Sequence, residues 1–83
     1  MSAVTPGRRL PDGHDVFAPG DYGKLRDGWY GRPPRGGLGN LENHDVTEHE
    51  DGTITVSPSI LIDDGRPERR WHGYLEHGVW REC

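Results

Sequence analysis

Five histidines stand in a chain of 83 residues, at positions 14, 44, 49, 72 and 77, together with a single cysteine, Cys83. Imidazole and thiolate are common zinc ligands, so the first chemistry to weigh is metal binding. Structural zinc sites draw ligands in closely spaced pairs of the CxxC, HxxxH or HxH kind, and the chain has none. His44 and His49 lie on one extended segment at an odd separation, which turns them to opposite faces of a strand. His72 and His77 straddle a turn and meet only where that turn bends them together. The expectation is no metal and no cofactor. The alternative is a small zinc-stabilised domain with ligands drawn from His44, His72 and Cys83.

Nucleophiles are present at Ser57, Ser59 and Cys83, but no nucleophile elbow or paired-carboxylate arrangement accompanies them. Ser57-Pro58-Ser59 reads instead as a strand break whose hydroxyls satisfy backbone groups. Gly36-Gly37-Leu38-Gly39 lacks the Gly-Lys-Ser/Thr ending and the preceding buried strand of a phosphate loop. The chain is expected not to be an enzyme. Between Glu42 and Asp51 lie five carboxylates in ten residues, without the spacing of a calcium loop. Such a segment either occupies a basic groove in imitation of phosphates or is a charged, water-facing strand that guards a sheet edge. The binding candidates are therefore Glu48, Glu50 and Asp51 on this acidic segment, with His72 and Tyr74 on another strand.

Net charge is −4, unevenly spread. Residues 1–41 hold six cations against four acids, a net of +2, and residues 42–83 hold four cations against ten acids, a net of −6. The halves can attract each other, or the acidic half can meet a basic partner. Direct nucleic-acid binding is not expected, since it calls for a clearly basic surface. Near the N-terminus there is no apolar run of signal-peptide type, and no segment approaches the roughly 20 apolar residues of a membrane span. With one terminal thiol, this suggests a soluble protein of a reducing cytoplasm.

The elements that would position these residues are strands. Residues 1–27 are punctuated by Pro6, Pro11 and Pro19 with glycines between, and are expected to form an irregular or partly disordered arm anchored by Val16, Phe17 and Tyr22. Residues 28–83 are expected to form a small β domain. Gly28 to Arg32 reads as a short strand stopped by Pro33-Pro34, and a single helical turn fits Leu38 to Asn43. Asp51-Gly52 predicts a type I′ hairpin turn. Beyond it Ile54 and Val56 alternate with threonines, Pro58 breaks or bulges the strand, and Ile60-Leu61-Ile62 continues it. Trp71, Gly73 and Leu75 alternate with His72, Tyr74 and Glu76, and Val79-Trp80-Arg81 returns after a turn. The fold class is mainly β: a small antiparallel sheet of four or five strands, curled into an open barrel or sandwich. Its expected core is Trp29, Ile54, Val56, Ile60, Ile62, Trp71, Leu75, Val79 and Trp80, with Tyr30 and Tyr74 beside it. A chain with so few apolar residues would gain from pairing as a homodimer.

The run Thr53-Ile54-Thr55-Val56-Ser57-Pro58-Ser59-Ile60, followed by Trp71-His72-Gly73-Tyr74-Leu75 and Gly78-Val79-Trp80, resembles a group of small uncharacterised bacteriophage and bacterial proteins. There a T-x-x-x-S-P-S-I strand precedes a W-H-G-Y-L/I-x-x-G hairpin. The resemblance spans roughly residues 44–82, about half the chain. It implies a short β fold and a phage or prophage origin, and it assigns no activity. Some members of the group carry cysteines near the position of Trp71 and upstream, which suggests a metal site in them. This chain lacks those cysteines. The expected function is a non-catalytic phage-type accessory protein that binds another protein: a host factor, a defence component or a virion subunit. Its expected place is the host cytoplasm or the virion.

Overall fold

The β-branched and aromatic residues after residue 45 do form strands, and so do residues well before them. The computed structural model describes residues 4–83. Nine strands form among them: β1 (Val4–Pro6), β2 (Arg8–Arg9), β3 (Asp21–Leu25), β4 (Gly28–Gly31), β5 (Gly39–Asn40), β6 (Asp45–Glu48), β7 (Ile54–Ile62), β8 (Trp71–Glu76) and β9 (Val79–Glu82). A single 3₁₀ turn at Pro67–Arg69 links β7 to β8. One antiparallel sheet has the order β1-β9-β8-β7-β6, as the alternation in residues 45–82 predicts. A second sheet has the order β2-β3-β4-β5; of its strands only β4 matches an expected one, the strand at Gly28 to Arg32, and β2 runs parallel to β3. Neither sheet closes into a barrel.

The core lies between the sheets. Ile54, Val56 and Ile60 of β7, Trp71 and Leu75 of β8, and Trp80 of β9 face Tyr22 of β3 and Leu41 just after β5. Trp29, Val46 and Ile62 pack at its margin. Val79 is only half-buried, because neighbours on a strand point to opposite faces and Trp80 takes the inner one. Tyr30 and Tyr74 are likewise half-buried. The radius of gyration is 11.6 Å, close to the ~12 Å of a compact chain of this length.

The expected boundary at residue 28 falls in the tight turn between β3 and β4. Residues 10–20 are irregular as expected, but the segment on either side supplies β1, β2 and β3. The first three residues of that arm lie outside the described residues. The irregular stretch folds over the outer face of the second sheet. A Cβ on Gly23 would lie 3.3 Å from Leu10 Cβ and 3.6 Å from Phe17 Cζ, so the bare glycine is the floor on which those two buried side chains sit. Phe17 and Tyr22 are anchors, whereas Val16 is 71% exposed. Alternation could not reveal this part, because each strand contributes a single apolar side chain and the cover is aperiodic.

Two local expectations change. Leu38 to Asn43 is not a helical turn; it forms β5, followed by a turn in which the His44 amide donates to the Leu41 carbonyl at 3.0 Å. At Asp51-Gly52 only Gly52 has positive φ, +87°. The His49 amide bonds to the Thr53 carbonyl and the Gly52 amide to the His49 carbonyl, which is a three-residue loop rather than a type I′ turn. The two-residue turn is in the other hairpin, where His77 (φ 48°) and Gly78 (φ 76°) both take the left-handed region between paired Glu76 and Val79.

Gly73 gives the first testable consequence. A Cβ there would collide with the Arg81 carbonyl oxygen, would come within 2.7 Å of Trp71 Cη2 and would sit 2.9 Å from Glu82 Cα. Two of the three are backbone atoms of the neighbouring strand, so the sheet itself must move. Gly73→Ala is expected to destabilise by about 2–3 kcal/mol, read as a lower urea midpoint with an unchanged m-value.

Candidate functional site

The centre of β7 carries a proline in a strand paired on both sides, which the ladder tolerates only at an irregularity. Val56 pairs with Leu75, and Ile60 with Gly73, so β7 takes four steps where β8 takes two. The surplus lies at Ser57-Pro58-Ser59. Because an even number of residues is inserted, Ile60 and Ile62 return to the inner side. The bulge frees Ser59 from the ladder and brings two histidines to it. His72 Nε2 lies 3.0 Å from Ser59 Oγ, and His44 Nε2 lies 3.1 Å from the Ser59 carbonyl oxygen. A carbonyl only accepts, so His44 donates from Nε2, which leaves Nδ1 as its other ring nitrogen. That Nδ1 is buried and has no partner among the described residues.

Beside this bulge the outer face of the five-stranded sheet is mixed in character. Leu61, 53% exposed, is in register with exposed His72. Tyr74 is in register with Arg81, and Arg81 with Val4, which is 58% exposed. The Arg81 guanidinium lies 4.9 Å from the centre of the Tyr74 ring and bridges to Glu76 at 2.7 Å. Tyr74 is therefore partly covered by its own neighbour, and His72 and Leu61 are the more accessible members.

Sequence neighbours suggest the histidine pairs 44/49 and 72/77; the fold pairs them otherwise. His44 and His72 meet through Ser59. His49 and His77, from different hairpins, stack with centroids 3.9 Å apart and planes inclined by 11°. Thr55 Oγ1 holds that stack, 2.7 Å from His49 Nε2 and accepting the His77 amide at 3.0 Å. A metal binds in the plane of an imidazole, so two rings stacked face to face do not converge on one ion. Among the described residues no three His, Cys, Asp or Glu side chains are placed to hold a metal. Cys83 is exposed, and its amide bonds to the His72 carbonyl.

The acidic hairpin is largely engaged internally. Arg9 donates to Glu48 at 3.0 Å, to the Gly52 carbonyl at 2.8 Å and to Asp12 at 2.9 Å, and its guanidinium lies 4.8 Å from the Trp29 ring centre. It clamps the two sheets together at their edge. Asp51 accepts from the Thr53 hydroxyl and amide. Those bonds, helped by the charges of His49 and His77, hold its carboxyl below the usual carboxylate range. Glu50 stays exposed. Part of the charge asymmetry is thus spent joining the halves, through Arg9 to Glu48 and Arg35 to Glu82 at 2.6 Å.

Ser59 and His72 stand at the separation of a nucleophile and its base. Among the described residues no carboxylate bonds to either imidazole of the bulge. Hydroxyl, imidazole and exposed leucine lie side by side on this surface. The fold and this face define a small, open, two-sheet β protein with a polar notch at a strand bulge. No family model matches the chain, and no curated protein or solved structure matches it. No helix is long and apolar enough to cross a membrane among the described residues.

Proposed function

We propose that this chain is a non-catalytic, phage-type accessory protein that binds another protein through the outer face of its five-stranded sheet. The observation that carries the reading is Leu61, half exposed in mid-strand beside exposed His72. Leu61 shares this outer face with exposed Val4 and half-buried Tyr74, and apolar groups gathered on one face favour an interface. His72, Tyr74 and the Ser59 notch set direction and selectivity. Because Glu48 and Asp51 serve the chain's own packing, the acidic hairpin adds Glu50 and exposed Asp45 at the rim. Five strands about 4.8 Å apart give a face roughly 20 by 25 Å, the size of a transient contact. The partner is a host factor, a defence component or a virion subunit, in keeping with the resemblance of the bulge and β8 sequence to phage proteins.

The reading is tested with a photo-crosslinking residue in place of Leu61, expressed in host cells. One discrete adduct is expected, and it should weaken at least ~10-fold in a Tyr74→Ala or His72→Ala background, as for central interface contacts. Glu50→Lys should leave the adduct intact. An adduct with a second copy of the chain would identify the face as a homodimer contact instead. If the adduct survives both alanine variants undiminished, or none forms, the face is not the contact.

A further inference from the structure

On the second sheet, away from the face just described, an open groove of about 400 Å³ lies between the Asp12–Gly13 turn and the end of β3. Asp12, Gly13, Lys24, Leu25 and Arg26 line it. Its walls are tied together. The Gly13 amide donates to the Lys24 carbonyl at 2.8 Å. Lys24 Nζ lies 5.7 Å from the centre of the Trp29 ring. Arg9, on the same ring, holds Asp12 at 2.9 Å. Lys24 and Arg26 have no carboxylate partner within 4.0 Å among the described residues, as is also true of Arg32, which donates to the Phe17 carbonyl, and of Arg66, whereas Arg8, Arg9, Arg35, Arg69, Arg70 and Arg81 all have one. In a chain of net charge −4, two neighbouring cations left unneutralised at a concave site are an unbalanced local field.

We propose that this groove binds a phosphate monoester. The volume falls in the range of small-molecule sites. A monoester carries close to two negative charges at neutral pH, which matches the two cations that line the groove. Lysine supplies a point charge and arginine a planar fork, and the two together satisfy the several oxygens of one phosphate better than a single carboxylate. Half-buried Leu25 gives the organic part of the ester an apolar contact. Asp12 is the opposing charge at the rim, and its bond to Arg9 offsets it in part. Removing it therefore strengthens binding, the reverse of what loss of a ligand contact would do.

The test is an amide chemical-shift titration of the full chain with phenyl phosphate, with benzoate and benzyl alcohol as comparisons. Saturable shifts are expected at Gly13, Lys24, Leu25 and Arg26, weaker with benzoate and lost with benzyl alcohol. Lys24→Gln and Arg26→Gln, both exposed and structurally undemanding, should each weaken phenyl phosphate binding ~2- to 5-fold. Asp12→Asn should tighten it by a similar factor, and added salt should weaken it in every case. Shifts that fail to saturate, or that spread over all the arginines, overturn the proposal. So do equal affinities in wild type, Lys24→Gln and Asp12→Asn.

Discussion

Replacing Trp80 with alanine is expected to bring the chain to the edge of unfolding at room temperature. Trp80 is 1% exposed, meets Trp71 edge to face at 5.4 Å, and covers Gly31 of the opposite sheet, where a Cβ would lie 2.8 Å from its ring. Its Nε1 donates to the Gly20 carbonyl at 2.8 Å, joining β9 to the turn that leads into β3. Deleting a buried tryptophan costs about 3–5 kcal/mol, and a chain of this length holds only about 4–12 kcal/mol in total. At roughly 4–8 °C per kcal/mol, the melting midpoint by circular dichroism should fall by about 12–40 °C. Trp80→Phe separates the two parts of that loss, since it keeps a ring and removes one of the two donors to the Gly20 carbonyl, the Arg8 amide staying at 3.1 Å, and should cost about 1–2 kcal/mol.

Gly31→Ala sharpens the case, because in wild type its methyl has no room against Trp80. In the Trp80→Phe background the smaller ring leaves that room, so the second substitution should cost less there than in wild type. A coupling of about 1 kcal/mol or more is expected for two groups in direct contact. Strict additivity would mean that Trp80 does not pack on Gly31.

The pairing of Trp80 with Gly31 marks where the sequence stopped being legible. Alternation exposes β7 and β8, because each carries two or more inward apolar residues at even spacing, and β9 follows from the short turn that returns the chain with Trp80 inward. The first sheet and most of its core follow from that signal. The second sheet has no such signal: β3 offers Tyr22 alone to the core, β4 offers Trp29 alone, Gly31 stands where Trp80 leaves no room for a side chain, and Gly23 stands where Leu10 leaves little. A glycine under a tryptophan is a packing feature of two distant residues, and nothing local announces it.

The candidate site was legible in its parts and not in its arrangement. His72 and Tyr74 fall on the outer face as alternation requires, and Pro58 marks an irregularity. What the sequence could not supply is that the bulge spans two residues and so delivers Ser59 to His44 and His72. Nor could it show that Arg9, thirty-nine residues away, would take Glu48. Five carboxylates in ten residues look like a surface until the partner from the other sheet is known. Asp21 was the least legible of all, one acid among several in an irregular arm.

Asp21 should prove the most consequential carboxylate for stability. It is 3% exposed, accepts two bonds from Arg8 at 2.9 and 3.1 Å and one from the Ala18 amide at 2.9 Å, and so closes the turn that feeds β3. Burial opposes its ionisation. The bonds from Arg8 and Ala18, with the charges of Arg8 and His14, outweigh that and hold its carboxyl below the ordinary value. A carboxyl whose folded-state pKa is depressed stabilises fully above the unfolded value, about pH 4, and that contribution fades as pH falls through the folded value. Asp21→Ala should therefore cost about 2 kcal/mol at pH 7, less than the 3–5 of a wholly buried pair, because Arg8 stays largely in water. Asp21→Asn keeps the shape but not the charge, so its deficit relative to wild type should shrink steadily between about pH 5 and pH 2. Urea midpoints at several pH values decide the matter. A deficit that stays constant across that range would show that Asp21 acts by shape, and that its charge contributes nothing to holding the arm against the sheet.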